Sequence, residues 1–200
     1  MKKVYGVGYG TRGGKWKTYI NLNGKGVRTK EYRIWKNMLT RCYSEKYHDK
    51  HPTYKGCFVI EEWLDFQVFA EWLTSQEFYL DGYELDKDIL VRGNKIYSPE
   101  TCALVPYEIN KLLLDSGATR GEFPIGVSWH RKAGKFMAQL RAGGEHVYLG
   151  LHTCEESASS AYTLAKEEYV KKVANRWRGF MQEEVYLTLM SWTVLGASND

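Results

Sequence analysis

The chain has 200 residues, of which 44% are hydrophobic and 26% are charged, the balance of an ordinary globular protein. This balance excludes a mainly disordered chain and a fibrous repeat, and no apolar run reaches the roughly 20 residues that span a bilayer. Met1–Val4 leads into glycines and not into a long apolar segment, so we expect no signal peptide and a cytoplasmic protein. Four scattered cysteines also indicate a reducing compartment.

Positive charge is concentrated at the N-terminus. Residues 1–50 contain 13 Lys+Arg and 3 Asp+Glu, residues 51–120 contain 6 and 12, and residues 121–200 contain 9 and 9. A basic segment with interleaved aromatic rings favours a polyanionic partner. We therefore expect nucleic acid, with a solvated basic face as the alternative. The interleaved rings are Tyr5, Tyr9, Trp16 and Tyr19.

The N-terminal part predicts a hairpin followed by a helix. Residues 4–22 predict a glycine-rich β-hairpin that turns at Thr11–Gly14, and Asn23–Gly24 ends it with a second turn. Residues 31–43 predict a helix, because apolar side chains recur on one face. That face carries Ile34, Trp35, Met38, Leu39 and Cys42.

The middle of the chain is less regular. Residues 44–56 predict a polar loop, and residues 59–75 predict a helix with an aromatic stripe of core residues. Residues 81–105 predict irregular structure, residues 106–115 a short helix, and Gly117–Gly121 a linker. The aromatic stripe consists of Trp63, Phe66, Phe69 and Trp72.

The C-terminal part predicts a sheet and a helix. Residues 125–130, 135–141 and 146–151 alternate as strands and are separated by glycine-containing turns. Thr153 and Glu156 have capping-box spacing, so a helix is expected to start at about Cys154.

Short motifs follow one another in a fixed order in this C-terminal part. They are Gly126-Val127, Gly134-Lys135-Phe136, Ala138-Gln139-Leu140-Arg141, Val147-Tyr148-Leu149-Gly150, Glu155-Glu156 and Ala161-Tyr162. Over about residues 124–178 the chain resembles the APETALA2/ethylene-response-factor DNA-binding domain, which also occurs in phage and bacterial homing endonucleases. The resemblance implies a three-stranded antiparallel sheet backed by one helix, with the sheet entering the DNA major groove.

Strand alternation divides the side chains of this sheet between two faces. Val127 and Trp129 are expected to face the helix, as are Val147 and Leu149. Arg pairs with guanine and Gln with adenine in the major groove. The exposed face is expected to carry Ser128, His130, Gln139, Arg141, His146 and Tyr148. Phosphate contacts are expected from Lys2, Lys3, Arg12, Lys15, Lys17, Lys25, Arg131, Lys132 and Lys135.

The middle of the chain contains a second ordered set of motifs. They are Trp35-x2-Met38-x2-Arg41-Cys42-Tyr43, Tyr54-x-Gly56-Cys57, Glu62-Trp63-x2-Phe66-x2-Phe69, Leu85-Asp86-Lys87-Asp88 and the run from Gly93 to Cys102. Over about residues 32–106 this order is similar to phage HNH-type homing endonucleases. The resemblance implies a ββα-metal module that holds a divalent cation, with Mg²⁺ as the expected ion, at the scissile phosphate.

Candidate catalytic residues follow from this resemblance. Asp86 matches the metal-side carboxylate, and Asp88 is the candidate second metal ligand. Lys87 stands where the general-base histidine would be, and Asn94 is the candidate orienting amide. Thr101 replaces the family's asparagine. Because Lys87 and Thr101 replace two signature residues, a nuclease with an altered motif and a fold that has lost its chemistry both stay open.

A separate zinc hypothesis comes from the spacing Cys42-x5-His48-x2-His51-x5-Cys57, which contains zinc-ligand residue types. The close cysteine pair of most zinc sites is missing. The spacing therefore favours two core cysteines that flank a polar loop over a zinc site.

Together these features predict an α+β protein, with a degenerate ββα-metal (HNH-like) module followed by a three-stranded antiparallel sheet packed on one helix. The expected function is binding of double-stranded DNA in a phage-infected or prophage-bearing cell, with metal-dependent cleavage. The alternative is an inactive derivative that binds DNA or blocks a host protein. The expected divisions are 1–30, a basic hairpin arm; 31–116, the HNH-like module; 122–179, the APETALA2-like domain; and 180–200, an apolar tail that packs on the body or forms a homodimer contact.

Overall fold

The computed structural model describes residues 3–10, 13–113 and 122–194. It has mixed α+β structure, as predicted, and it divides into two compact units, Met1–Asn110 and Lys111–Asp200. Lys2, Arg12 and the predicted linker lie outside the described residues.

The regular elements of the described residues are six α-helices and nine strands. The predicted helices over 31–43 and 106–115 are confirmed as α1 and α4. No helix in these ranges is both long enough and apolar enough to cross a membrane. The helices are α1 (Lys30–Tyr43), α2 (Glu45–Lys50), α3 (Phe66–Ser75), α4 (Tyr107–Leu112), α5 (Glu155–Arg176) and α6 (Glu183–Ser191). The strands are β1 (Tyr19–Leu22), β2 (Lys25–Arg28), β3 (Phe58–Val59), β4 (Tyr83–Asp86), β5 (Ile96–Tyr97), β6 (Ala103–Pro106), β7 (Val127–His130), β8 (Lys135–Ala142) and β9 (Glu145–His152).

Helix α1 supplies the central face of the first unit's core. Thr29 caps the helix, because its Oγ1 accepts a hydrogen bond from the Tyr32 amide at 3.3 Å. Trp35 and Leu39 are at most 1% exposed. The Trp35 indole donates to the Trp63 carbonyl at 2.7 Å, which satisfies the one polar group that this large side chain buries.

The glycine-rich N-terminal segment packs on this core instead of forming the predicted hairpin over 4–22. A Cβ on Gly8 would lie 2.3 Å from a side-chain atom of α1, and a Cβ on Gly14 would lie 2.3 Å from the Gln67 side chain. Gln67 holds the Trp16 backbone, accepting from its amide at 2.8 Å and donating to its carbonyl at 2.9 Å. Thr11 and Arg12 of the predicted turn lie outside the described residues. On either side of them the predicted hairpin is wrong, because Gly8 and Gly14 allow close packing against other segments.

The observed hairpin lies further along the chain. Strands β1 and β2 pair antiparallel, with Tyr19 opposite Arg28. Asn23 and Gly24 have φ values of 52° and 79°, and a type I′ turn requires positive φ at both positions. The predicted Asn23–Gly24 turn is confirmed, but it joins β1 to β2 and does not end the hairpin.

Three further stretches of the first unit differ from the prediction. The polar loop over 44–56 contains α2. The helix over 59–75 begins only at Phe66, because Asp65 caps it there with a side-chain hydrogen bond. The irregular stretch over 81–105 contains β4, β5 and the start of β6. These strands are two to four residues long and pair across large sequence separations, with β4 on β6 and β3 on β5.

The second unit is a three-stranded antiparallel sheet in the order β7–β8–β9, packed on α5. All three predicted strands are confirmed. Helix α5 begins at Glu155 after the cap residue Cys154, which makes no side-chain cap bond. The Thr153–Glu156 capping box is therefore wrong, because the helix begins one residue later than that box requires.

The apolar C-terminal segment belongs to the core of this second unit. Val185 and Leu189 of α6 have no exposed surface. Tyr186 donates through its hydroxyl to the Asn175 side chain of α5 at 3.0 Å. The described part of the segment therefore packs within its own chain.

Candidate nucleic-acid interface

The outer face of the β7–β8–β9 sheet brings predicted DNA-binding side chains together. The register sets Gln139 opposite Tyr148 and Arg141 opposite His146 on strands β8 and β9. Directly opposed residues of antiparallel strands have Cβ atoms about 4.5–5.5 Å apart, so one ligand can meet both members of a pair. On β7, the register places Ser128 on the same face. The five polar side chains share this face with two apolar residues, Met137 and Leu151.

A β-bulge in β9 sets which residues share this face. Ala138 pairs with Gly150, whereas the next residue, Gln139, pairs with Tyr148. Leu149 is thus the extra residue of the bulge. Gly150 has a φ of 114°, a conformation that favours glycine. The bulge reverses the alternation of β9 from this point onward.

Side-chain hydrogen bonds fix the turns beside the face. His130 Nδ1 accepts from the Ala133 amide at 3.2 Å in the β7–β8 turn. Because Nδ1 of this predicted DNA-binding residue already accepts a backbone hydrogen bond, only Nε2 of His130 is left to contact DNA. In the β8–β9 turn, the Tyr169 hydroxyl of α5 accepts from the Gly143 amide at 2.7 Å. Arg131 and Lys132 are exposed in the first of these turns, and Lys135 is exposed where β8 begins.

Trp129 lies on the helix-side face of the sheet, as the strand alternation predicted, because it pairs with Phe136 on the same face as the buried Ala138. It is 45% exposed, and its ring packs edge-on against Phe136 with 4.9 Å between centroids. Phe136 in turn contacts Phe123 at 5.5 Å. Alternation gives the face of a side chain and not how far the helix covers that face, so a helix-side ring can stay half exposed.

The outer face of the strands carries no carboxylate. Residues 122–152 contain four Lys+Arg and two Asp+Glu. The one acidic strand residue, Glu145, pairs with Ala142 and alternates away from Arg141 and His146. A DNA phosphate at this face would therefore meet only cationic and neutral side chains.

The basic residues near the N-terminus have different surroundings. Lys15 Nζ lies 3.0 Å from Glu71 Oε2 and 4.7 Å from the centre of the Trp16 ring. This acidic neighbour weakens the predicted phosphate contact at Lys15. Lys17 and Lys25 are exposed at the β1–β2 hairpin.

The predicted catalytic residues Asp86, Lys87, Asp88 and Asn94 lie on one segment that leaves β4. Asp86 Oδ1 accepts from the amides of Asp88 and Ile89, both at 2.7 Å. Lys87 is 5% exposed, and its Nζ donates to Asp88 Oδ1 at 2.6 Å and to the Asn94 carbonyl. Asn94 Nδ2 donates back to the Lys87 carbonyl at 2.8 Å. Hydrogen bonds and an ion pair from its own side chains therefore hold the Asp86–Asn94 segment in its conformation.

These donors do not fit the expected Mg²⁺ ion. Mg²⁺ needs oxygen ligands in near-octahedral geometry. One oxygen of Asp86 is used by two backbone donors, and Asp88 is paired with the Lys87 ammonium, which repels a second cation. Burial raises the pKa of the Asp86 carboxyl, and the backbone donors offset part of that rise.

The residues of the predicted zinc array have other contacts. Cys42 and Cys57 are buried. His48 Nε2 lies 2.8 Å from the Arg41 carbonyl, and His51 stacks on a tyrosine ring at 4.4 Å. Within residues 3–10, 13–113 and 122–194, no group of three or more His, Cys, Asp or Glu is placed to hold a metal ion.

The cysteines give a simple check on the core of the first unit. Burial raises the pKa of Cys42 and Cys102 to about 12 and also raises that of Cys57, whereas Cys154 is exposed. Because the thiolate is the reactive form, we expect a thiol-specific chromogenic reagent at pH 8 to label one cysteine in the native protein and four after unfolding. Cys154→Ser should reduce the native count to zero. Rapid labelling of two or more thiols in the native protein would contradict this packing.

Two tyrosine rings near Lys87, and an arginine beside one of them, were not predicted as parts of this site. Lys87 Nζ lies 5.8 Å from the centre of the Tyr54 ring and 6.0 Å from that of Tyr97. Arg41 lies 5.8 Å from the Tyr54 ring. Burial raises the pKa of both tyrosines. The faces of the rings stabilise buried cations. Tyr54 and Tyr97 belong to the ordered motifs, but their spacing does not show that they meet Lys87.

Comparisons of the chain with models of protein families, with curated proteins and with solved structures found no match. Both resemblances therefore depend on the motifs quoted above. Any functional assignment depends on those motifs together with the geometry of the sheet and of the Asp86–Asn94 segment.

Proposed function

We propose that this protein binds double-stranded DNA through the outer face of the β7–β8–β9 sheet, and that it does so without cleaving the DNA. The observation that carries the proposal is the pairing of Arg141 with His146 and of Gln139 with Tyr148 on one carboxylate-free surface. Arg and Gln are the side chains that read guanine and adenine edges in the major groove.

The choice of binding over cleavage depends on Lys87. In the order of the motifs, Lys87 stands at the position of the general-base histidine of the resembled nucleases, and its buried ammonium donates to Asp88 and to the Asn94 carbonyl. A donating ammonium is not available to take a proton from water. The segment is therefore better suited to a structural role than to hydrolysis.

Arg141→Ala tests the proposal in a titration of a fluorescent 30-base-pair duplex with the full chain. We expect affinity to fall about tenfold to a hundredfold, since one bidentate base contact contributes about 1–3 kcal/mol. Lys172→Ala, which removes an exposed cation from α5, is the matched control and should retain wild-type affinity. Wild-type binding should also weaken with salt, by a log–log slope of about −0.9 for each phosphate contact.

Two results would contradict the proposal. The first is a wild-type protein that retains no duplex at low salt, which would favour a protein partner. The second is Mg²⁺-dependent nicking of supercoiled plasmid that disappears in Asp86→Ala, which would favour the nuclease.

A further inference from the structure

The β1–β2 hairpin of the first unit exposes both of its strands. Every residue from Tyr19 to Arg28 is exposed. Ile20 lies opposite Val27, and Leu22 follows Ile20 by two residues, so these three aliphatic side chains share one face. They are 45%, 41% and 52% exposed, respectively. An isolated two-stranded hairpin is only marginally stable in water. An apolar face that nothing in the described part of the unit covers is therefore a candidate binding surface.

The other face of the hairpin is attached to the body of the unit. The Tyr19 ring lies 6.0 Å from the Tyr32 ring of α1, and Arg28 Nε donates to the Tyr19 hydroxyl at 3.2 Å. At the base of the hairpin, Thr29 Oγ1 donates to the Lys17 carbonyl at 2.8 Å. Since Thr29 also caps α1, the hairpin has a fixed direction and presents its aliphatic face outward.

The charged residues around the hairpin indicate which kind of partner this aliphatic face binds. Residues 13–30 contain five Lys+Arg and no Asp+Glu. Two of these cations, Lys15 and Lys30, pair with Glu71 and Asp81 from elsewhere in the unit, which leaves Lys17, Lys25 and Arg28 beside the strands. Lys25 lies opposite Leu22, on the aliphatic face itself. Lys17 is exposed just before β1. The pattern is an apolar strip with cations beside it and no anion in this segment, which is complementary to DNA and not to a cationic or neutral protein surface.

We propose that the β1–β2 hairpin inserts into the major groove of duplex DNA as a second contact, an inference that rests on the proposed DNA-binding function. A two-stranded ribbon fits the major groove, which is about 12 Å wide. Ile20, Leu22 and Val27 contact base edges, where thymine methyl groups are the apolar partners. Lys17 and Lys25 contact phosphates on either side.

The double variant Ile20→Thr/Val27→Thr tests the apolar contact, because threonine keeps the β-branched shape and removes apolar surface. We expect about tenfold weaker binding to a thymine-rich duplex, with the salt slope unchanged. On the same duplex with uracil in place of thymine, wild type should bind more weakly, and the variant should lose much less relative to it. Val91→Thr is the matched control, since Val91 is a 51% exposed valine elsewhere in the unit. It should bind like wild type.

The outcomes separate this inference from the proposed function. Wild-type affinity in the double variant, together with a loss in Arg141→Ala, would overturn the hairpin contact and leave the sheet contact standing. A wild-type protein that binds no duplex would overturn both. Sedimentation of the wild type as a dimer that becomes a monomer in the double variant would show that a second copy covers the face, and would also overturn the hairpin contact.

Discussion

Replacing Lys87 with Met is expected to lower the free energy of unfolding by about 2–4 kcal/mol. Methionine keeps most of the volume of the lysine stem, so the loss measures the ammonium group. Without it, the Asn94 carbonyl loses its donor and Asp88 loses its cation. Asp88 is 48% exposed, and water compensates it in part, so we expect a smaller effect than for a fully buried ion pair.

Equilibrium unfolding in urea measures this change. Lys55→Met is the matched control, because Lys55 is exposed and belongs to the same unit. It should change stability by less than about 0.5 kcal/mol. A Lys87→Met protein as stable as the control would contradict a structural role for the ammonium.

A cation test distinguishes the structural lysine from a metal site. In Lys87→Ala the stem and the charge are both removed, which leaves Asp88 and the Asn94 carbonyl without the cation that they contact in the wild type. We expect Mn²⁺ at ten times its dissociation constant to stabilise this variant by about 1.4 kcal/mol, and not to stabilise wild type. Equal stabilisation of wild type would show that a metal binds beside Lys87, and would support the nuclease hypothesis.

Replacing Gly126 with Ala is expected to lower the free energy of unfolding of the second unit by about 3–5 kcal/mol. Gly126 has a φ of 76°, which disfavours any residue with a Cβ. An added Cβ would also lie 1.9 Å from a carbon of the Tyr162 ring, which is 5% exposed and held in the core by α5. The ring has no open space to move into, so strand β7 would separate from the helix.

Gly134→Ala is the control that isolates the Tyr162 contact. Gly134 also has positive φ, 59°, but an added Cβ would meet nothing within 4 Å. This variant should lose only the backbone term of about 1–2 kcal/mol. Hydrogen exchange read separately over β7–β9 and over α1 should show the larger loss of protection in the second unit alone. Equal losses in the two variants would contradict the close approach of Gly126 to Tyr162.

The sequence by itself predicted the elements whose signals are local. Helix α1 follows from apolar residues that recur at helical spacing, and β7, β8 and β9 follow from alternation between glycine turns. The same alternation placed Gln139 and Arg141 on one face, and the register agrees. These predictions hold because helical spacing and strand alternation are patterns of residues that are close together in the sequence.

Only the tertiary structure decided the features that depend on distant partners. Gly14 belongs to the predicted turn at Thr11–Gly14, but in the structure the missing side chains of Gly8 and Gly14 make room for α1 and for Gln67. In the sequence Lys87 stands between two aspartates and is a catalytic candidate, yet the fold buries it beside the rings of Tyr54 and Tyr97. Close approach and burial depend on which distant segments contact each other in the folded chain. The spacing of residues along the sequence does not predict those contacts.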